Sequence, residues 1–249
     1  MMIEKKMIQL DKVSFSYEPG RPILQDLSLH IHKGESVGLI GANGAGKSTI
    51  LKLMLGLLTA QSGTVRVDGL DMNKENIATI RRKLGFVLQN SDNQLFMPTV
   101  EEDMMFAPLN YGMDREEAEK KVDRVLKQLG LTELKHRHNH RISGGEKRMA
   151  AIATILMMEP EAILMDEPSA ALDPCNRRIV IDTIRGMDQT RLITSHDLDM
   201  ILETCERVIL LDKGQIVADG RTEEILKDRE LLEAHRMELP FCFAGPRYR

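Results

Sequence analysis

The run Gly41-Ala42-Asn43-Gly44-Ala45-Gly46-Lys47-Ser48-Thr49 matches the pattern G-x-x-x-x-G-K-[ST] between Gly41 and Ser48. Glycines let successive backbone N–H groups converge on phosphate oxygens, helped by the positive end of a following helix. Lys47 is expected to reach the β- and γ-phosphates as a point charge, and the Ser48 hydroxyl to coordinate Mg²⁺. By itself this loop serves a kinase, a GTPase or any ATPase.

A second stretch, Ala162-Ile-Leu-Met-Asp-Glu167, is an apolar strand that ends in two acids. Asp166 suits Mg²⁺, directly or through water. Glu167, one residue on, can orient an attacking water and accept its proton. His196, in Thr194-Ser-His-Asp197, follows another strand and can bridge the γ-phosphate and that water. Gln89 follows the strand-like run Leu84 to Leu88, and its neutral amide can ligate Mg²⁺ or the water without adding charge. A lone histidine or glutamine at a strand end is ordinarily a surface or cap residue, and both draw their weight from the glycine loop and the two acids.

These residues need a scaffold that delivers them to one edge. Met7 to Tyr17 alternates apolar and polar residues, as a half-exposed strand does. Further strands are predicted at Leu27 to Ile31, Ser36 to Ile40, Thr64 to Val67 and Leu84 to Leu88, with a helix from about Lys47 to Leu58. From about Asn93 to Met158 the pattern is helical, and Val122, Val125, Leu126 and Leu129 make one face of an amphipathic helix over Arg115 to Leu129. Strands return at Ala162 to Met165, Arg191 to Thr194, Arg207 to Leu211 and Gln215 to Ala218. Strands alternating with helices imply a mostly parallel α/β sheet, and ligands of such sheets bind at the strands' C-terminal edge.

The chain of 249 residues is long enough for one sizeable core, or one core with an inserted subdomain. A net charge of -4, with no basic arm and no tryptophan, argues against a nucleic-acid partner. Cys175, Cys205 and Cys242 lack metal-ligand spacing and fit reduced thiols. The N-terminal segment turns charged before any apolar run, and the apolar stretch Ala150 to Met158 is too short to span a bilayer. A membrane process would be served from outside the lipid.

In order and spacing, the glycine loop, Gln89, Ser143-Gly144-Gly145, Asp166-Glu167, the Leu172-Asp173 loop and His196 resemble the ATP-binding cassette (ABC) ATPases, from about Ile8 to Leu226. The resemblance implies a P-loop NTPase (RecA-like) core with a mostly parallel sheet, an N-terminal antiparallel β portion and an inserted α-helical subdomain. The single nucleotide-binding domain, 1–249, is then expected to comprise a catalytic α/β core at 1–92 and 159–249 and a helical signature subdomain at 93–158. It also implies that Tyr17 stacks on adenine, and that Ser143, Gly144 and Gly145 face the γ-phosphate bound by a second protomer. Asp173 would couple the two sites of a homodimer or a heterodimer, with ATP·Mg²⁺ as fuel.

A narrower similarity is to the ATPases of energy-coupling-factor importers, carried by Gln89-Asn-Ser-Asp-Asn-Gln-Leu-Phe96, Thr99-Val-Glu-Glu-Asp103 and Phe106-Ala-Pro108. Ser195-His-Asp-Leu-Asp199 and Gly214-Gln-Ile-Val-Ala-Asp-Gly220 are most like the cobalt/nickel branch. This implies uptake of a transition-metal ion through separate integral membrane subunits, at the cytoplasmic face of the cell membrane. Vitamin importers share much of it and remain an alternative, as does a cassette acting on nucleic acid. Several positions depart from the family's pattern: Ile142 and Glu146 stand for Leu and Gln, and Met149 for an arginine. The cluster His136, His138 and His140 alternates along a basic segment and reads as a solvated loop, with metal ligation the alternative.

Overall fold

The computed structural model describes residues 5–244. Strands β1 (Lys6–Glu18) and β2 (Arg21–His32) pair as a long antiparallel hairpin. β3 (Ser36–Ile40) enters a second sheet, followed by α1 (Lys47–Met54). β4 (Ser62–Val67) and β5 (Leu70–Asp71) return to the first sheet, which has the order β2-β1-β4-β5. After α2 (Ile77–Lys83) and β6 (Leu84–Val87) come three helices, α3 (Val100–Asn110), α4 (Arg115–Leu129) and α5 (Gly144–Leu156). The remainder is β7 (Ala162–Asp166), α6 (Pro174–Arg185), β8 (Thr190–Thr194), α7 (Leu198–Thr204), β9 (Arg207–Asp212), β10 (Gln215–Arg221), α8 (Thr222–Lys227) and α9 (Arg229–Ala234).

The second sheet has the order β10-β9-β3-β8-β7-β6, parallel throughout except for β10 on its edge. Its central strands β3 and β8 are buried at every position, as expected of strands covered on both faces. Successive side chains of a strand point to opposite faces, and the two cores sort accordingly. Leu39, Leu164, Leu192 and Ile209 pack with α1 and the antiparallel sheet, whereas Ile40, Ile163, Met165, Ile193 and Leu210 pack with the helices on the other side. Because the strands run parallel, the residues that follow β3, β6, β7 and β8 all leave by the same edge. Register aligns that edge closely: Thr194 pairs with both Leu39 and Asp166.

Local signals explain the helices. α4 spans the predicted 115–129, capped by Asp114, whose carboxylate accepts from Glu116 N and Glu117 N, and closed by Gly130 in the left-handed region. Thr99 and Glu102 form a reciprocal capping box on α3. α1 is shorter than its apolar pattern suggests: it stops at Met54, and Gly56 adopts φ 61°. α2 and β5 carry too few apolar residues to announce themselves, with Ile80 the one buried side chain of α2.

A charged knot joins the turn after β4 to the start of β7. Asp68 lies 2.8 Å from Lys5, 2.7 Å from Lys83 and 3.2 Å from Lys33, and Lys33 also reaches Glu161 at 2.5 Å. Lys5 and Lys83, with Lys33, hold the Asp68 carboxyl well below the usual carboxylate range. A carboxyl whose folded pKa is depressed stabilises the fold above its unfolded value and loses that contribution as pH falls through the folded value. Asp68→Asn is therefore expected to lower the melting temperature at pH 7 by about 2–4 °C, the shift that ~1 kcal/mol gives in a domain of this size. Melting curves of the two proteins taken at decreasing pH should converge. Parallel curves would remove the carboxylate as the cause.

Candidate functional site

The glycine loop leaves β3 through backbone that only glycine tolerates. Gly41 has φ 149°, and a Cβ there would lie 2.2 Å from the Leu211 carbonyl oxygen. Gly46, at φ 113°, is the N-cap of α1, and no side chain caps that helix. Its first N–H groups thus have no side-chain acceptor, the arrangement that suits a phosphate. Lys47, the first residue of α1, is buried and donates from Nζ to the carbonyls of Gly41 at 2.6 Å and Ala42 at 3.2 Å. Burial pushes its pKa below the usual lysine range, opposed by Glu167 and Asp166.

Ser48 Oγ lies 3.2 Å from Asp166 Oδ2, so the hydroxyl from α1 and the carboxylate from β7 meet. The other oxygen, Oδ1, accepts from Thr194 Oγ1 at 2.5 Å, which orients the carboxylate. An all-oxygen pair of this kind is the donor chemistry that Mg²⁺ takes. Ser48 and Asp166 are therefore the residues that would hold the Mg²⁺ the resemblance implies.

Glu167 sits in the left-handed region at φ 49°, an unusual conformation for a residue with a side chain. It is held there by Thr194, whose carbonyl accepts from Glu167 N at 3.0 Å. The carboxylate is nearly buried. Oε2 accepts from His196 N at 3.1 Å and from Ser195 Oγ at 3.3 Å, while Oε1 has no hydrogen-bond partner. His196 Nε2 lies 3.5 Å from that oxygen and 2.9 Å from Asn43 Oδ1. Buried polar oxygens almost always find a partner. One left open beside a histidine and the glycine loop has capacity to accept a proton from water.

Gln89 and Tyr17 complete a cleft of about 450 Å³ lined by Tyr17, Ile23, Asn43 to Thr49, Gln89, Asp166, Glu167 and His196, within the roughly 300–1,000 Å³ typical of small-molecule sites. Tyr17 is 56% exposed, set edge-on to Phe15 with ring centroids 4.9 Å apart, and its hydroxyl reaches Thr49 Oγ1 at 3.3 Å.

Ser143, Gly144, Gly145 and Asp173 do not line this cleft. Ser143 caps α5, and Glu146 closes the box by accepting Ser143 N at 2.6 Å, so a carboxylate serves where the family commonly has an amide. Asp173 caps α6 by accepting from Cys175 N and Asn176 N. The two glycines differ in environment. Gly144 has open space around its Cα, whereas a Cβ on Gly145 would lie 2.0 Å from the Asn176 side chain. Gly145→Ala is expected to cost about 1–3 kcal/mol through this overlap. In the Asn176→Ala background the same substitution should cost little, a coupling that a double-mutant cycle in urea measures. Equal costs in both backgrounds would show that Asn176 is not what requires the glycine.

Several participating groups gave no signal in the sequence. Thr194 reads as one more strand residue, yet it fixes both acids. Arg148, 3% exposed, donates to the Leu88 and Gln89 carbonyls. Arg177 pairs with Asp197 through two bonds of 2.5 and 2.7 Å, bracing α6 against the residue after His196. Met149 is buried and lies 3.8 Å from the Thr183 hydroxyl. His136 pairs with Glu101 at 3.0 Å, and the His138 and His140 rings lie 5.4 Å apart. Among the described residues no group of three or more His, Cys, Asp or Glu is placed to hold a metal ion. Nor is any helix there long and apolar enough to cross a membrane.

Comparison with known proteins agrees with this geometry. The ABC transporter family profile matches residues 24–170. A putative ABC transporter ATP-binding protein of Streptomyces avermitilis is 48% identical over 231 residues, covering 93% of this chain and 88% of its own. The energy-coupling factor transporter ATP-binding protein EcfA of Methanothermobacter thermautotrophicus is 40% identical over 239 residues, covering 94% of this chain and 77% of its own. Among solved structures, CbiO1 from Clostridium perfringens, part of the ABC transporter complex cbiONQ, superposes with a TM-score of 0.82 at 30% identity, covering 93% of this chain and 94% of that one. The cassette MJ0796, solved as a dimer in a post-hydrolysis state with ADP and Pi, gives 0.78 at 28% identity, covering 87% and 99%. With phosphate loop, paired acids and strand-end histidine on one edge of such a sheet, the chain belongs to the ABC transporter family as one of its ATP-hydrolysing subunits.

Proposed function

We propose that this chain is the ATPase of an energy-coupling-factor-type importer that drives uptake of a transition-metal ion, cobalt or nickel, from the cytoplasmic face of the membrane. Two copies, or this chain and a homologous ATPase, sandwich two ATP·Mg²⁺ between the glycine loop of one and Ser143 to Gly145 of the other. The observation that carries the reading is the separation of the two phosphate-facing parts: the cleft holds Lys47, Asp166 and Glu167, while the capped helix start at Ser143 lies outside it beside an open Gly144.

In this reading Tyr17 stacks on adenine and the amides of Gly41 to Thr49 cradle the phosphates. Lys47 neutralises charge on the β- and γ-phosphates, and Ser48, Asp166 and Gln89 hold the metal. The bound Mg²⁺ supplies charge neutralisation on the transferring phosphoryl group. Glu167 orients water and takes its proton on Oε1, and His196 steadies the same water against the γ-phosphate. Asp173 couples the two sites across the interface. Closure would be relayed through the helical block around Gln89 to Phe106 to separate membrane subunits. Phe96 and Phe106 stack edge-to-face on that surface, 4.8 Å apart, and both are exposed.

The substrate assignment is supported by the runs Ser195–Asp199 and Gly214–Gly220, which resemble the cobalt/nickel branch. Vitamin importers share much of the motif set at Gln89–Phe96 and Thr99–Asp103, which keeps a vitamin or other small solute as the second reading. In cells carrying Lys47→Ala, cobalt or nickel accumulation is expected to fall to background while vitamin content is unchanged. The reverse pattern would reassign the substrate, and unchanged contents of both would reject the importer reading.

A further inference from the structure

The loop that carries Gln89 is gripped from one side by α5. Arg148 Nη1 donates to Leu88 O at 2.5 Å and Nη2 to Gln89 O at 2.6 Å. Leu88 N donates to Gln94 Oε1 at 3.0 Å, and Gln94 Nε2 returns to Ala151 O at 2.8 Å and Thr154 Oγ1 at 3.2 Å on the same helix. Lys147, also on α5, pairs with Asp92 at 2.5 Å. The guanidinium is nearly buried, its Nε has no partner, and among the described residues no carboxylate neutralises it. An isolated buried cation is a costly brace. A neutral amide could donate to one of these carbonyls, whereas the planar fork satisfies two consecutive ones and so fixes the peptide from which the Gln89 side chain departs.

We propose that Arg148 is a positioning residue that aims Gln89 at the metal and gears it to α5, the helix whose N-terminus at Ser143 serves the other copy's nucleotide. The proposal rests on the reading of Gln89 given above. Each chain then carries one rigid link between the site it fills and the site it completes. A shift of α5 toward the partner's nucleotide moves Gln89 with it. The gearing passes through backbone carbonyls, so it does not depend on which residue stands at position 88.

The test uses the full chain saturated with a non-hydrolysable ATP analogue, with Mn²⁺ binding followed by electron paramagnetic resonance. Arg148→Met is expected to weaken Mn²⁺ binding about 10-fold, as loss of groups that orient metal ligands does. Affinity for the analogue in EDTA should stay as in the parent. Arg148→Lys, which keeps one donor to one carbonyl, should fall between, and it carries the test if the Met variant does not fold. Gln89→Ala should weaken Mn²⁺ similarly, and adding Arg148→Met to it should weaken binding no further. If Arg148→Met lowers only the melting temperature and binds Mn²⁺ as the parent does while Gln89→Ala does not, Arg148 is a structural brace and the proposal fails. If Gln89→Ala also binds Mn²⁺ like the parent, the role of Gln89 falls first and this inference with it.

Discussion

Glu167→Gln is expected to slow ATP hydrolysis by about 10²–10⁴-fold, the usual worth of a positioned general base, while leaving ATP affinity close to that of the parent. The amide has the carboxylate's shape, and its oxygen can still accept from His196 N and Ser195 Oγ, where Oε2 now accepts. What it cannot do is take a proton at the position of Oε1, the buried oxygen that has no hydrogen-bond partner. Lys47, Ser48 and the loop amides are untouched, so nucleotide binding persists and the closed, ATP-loaded pair should accumulate. Phosphate release and fluorescent-nucleotide titration read the two effects separately. A variant that hydrolyses ATP at the parental rate would leave Glu167 without a catalytic role.

The second large effect comes from mixing two dead proteins. Lys47→Ala removes the buried lysine of the cleft, and Ser143→Arg blocks the helix start that, in the proposed pair, faces the partner's nucleotide. Each alone should lose at least ~100-fold in turnover. Mixed in equal amounts they form some pairs in which the Ser143→Arg copy supplies an intact glycine loop and the Lys47→Ala copy an intact Ser143 to Gly145. With random assortment about a quarter of the parental composite sites return, because a two-fold pair builds each site from both members. Hydrolysis should rise accordingly on mixing. A mixture no more active than its components, with pairing demonstrated by cross-linking, would mean that each site is complete within one chain.

Strong local signals were sufficient for much of the frame. α4 lies over the predicted 115–129 because Asp114, four spaced apolar residues and Gly130 all agree on the same helix. β3 and β7 were legible as short, mostly apolar runs, and the acids and glycines at their ends follow from chain order alone. Where the signal was thin the reading was incomplete. α2 and β5 have almost no buried face to imprint a period, and α1 ends early because Gly56 takes φ 61° after only two turns.

Residue types and their order, by themselves, determined a glycine-loop pattern at Gly41 to Thr49 and two acids and a histidine at strand ends, since those are properties of neighbours along the backbone. Tertiary structure alone decided which groups hold these residues in place. Thr194 meets Asp166 and Glu167 across a parallel pairing, Asn176 presses on Gly145 from another helix, and Arg148 reaches Leu88 and Gln89, 60 and 59 positions away in sequence. Such contacts depend on where helices and strands pack, and packing is set by burial of whole faces rather than by the identity of any one polar residue.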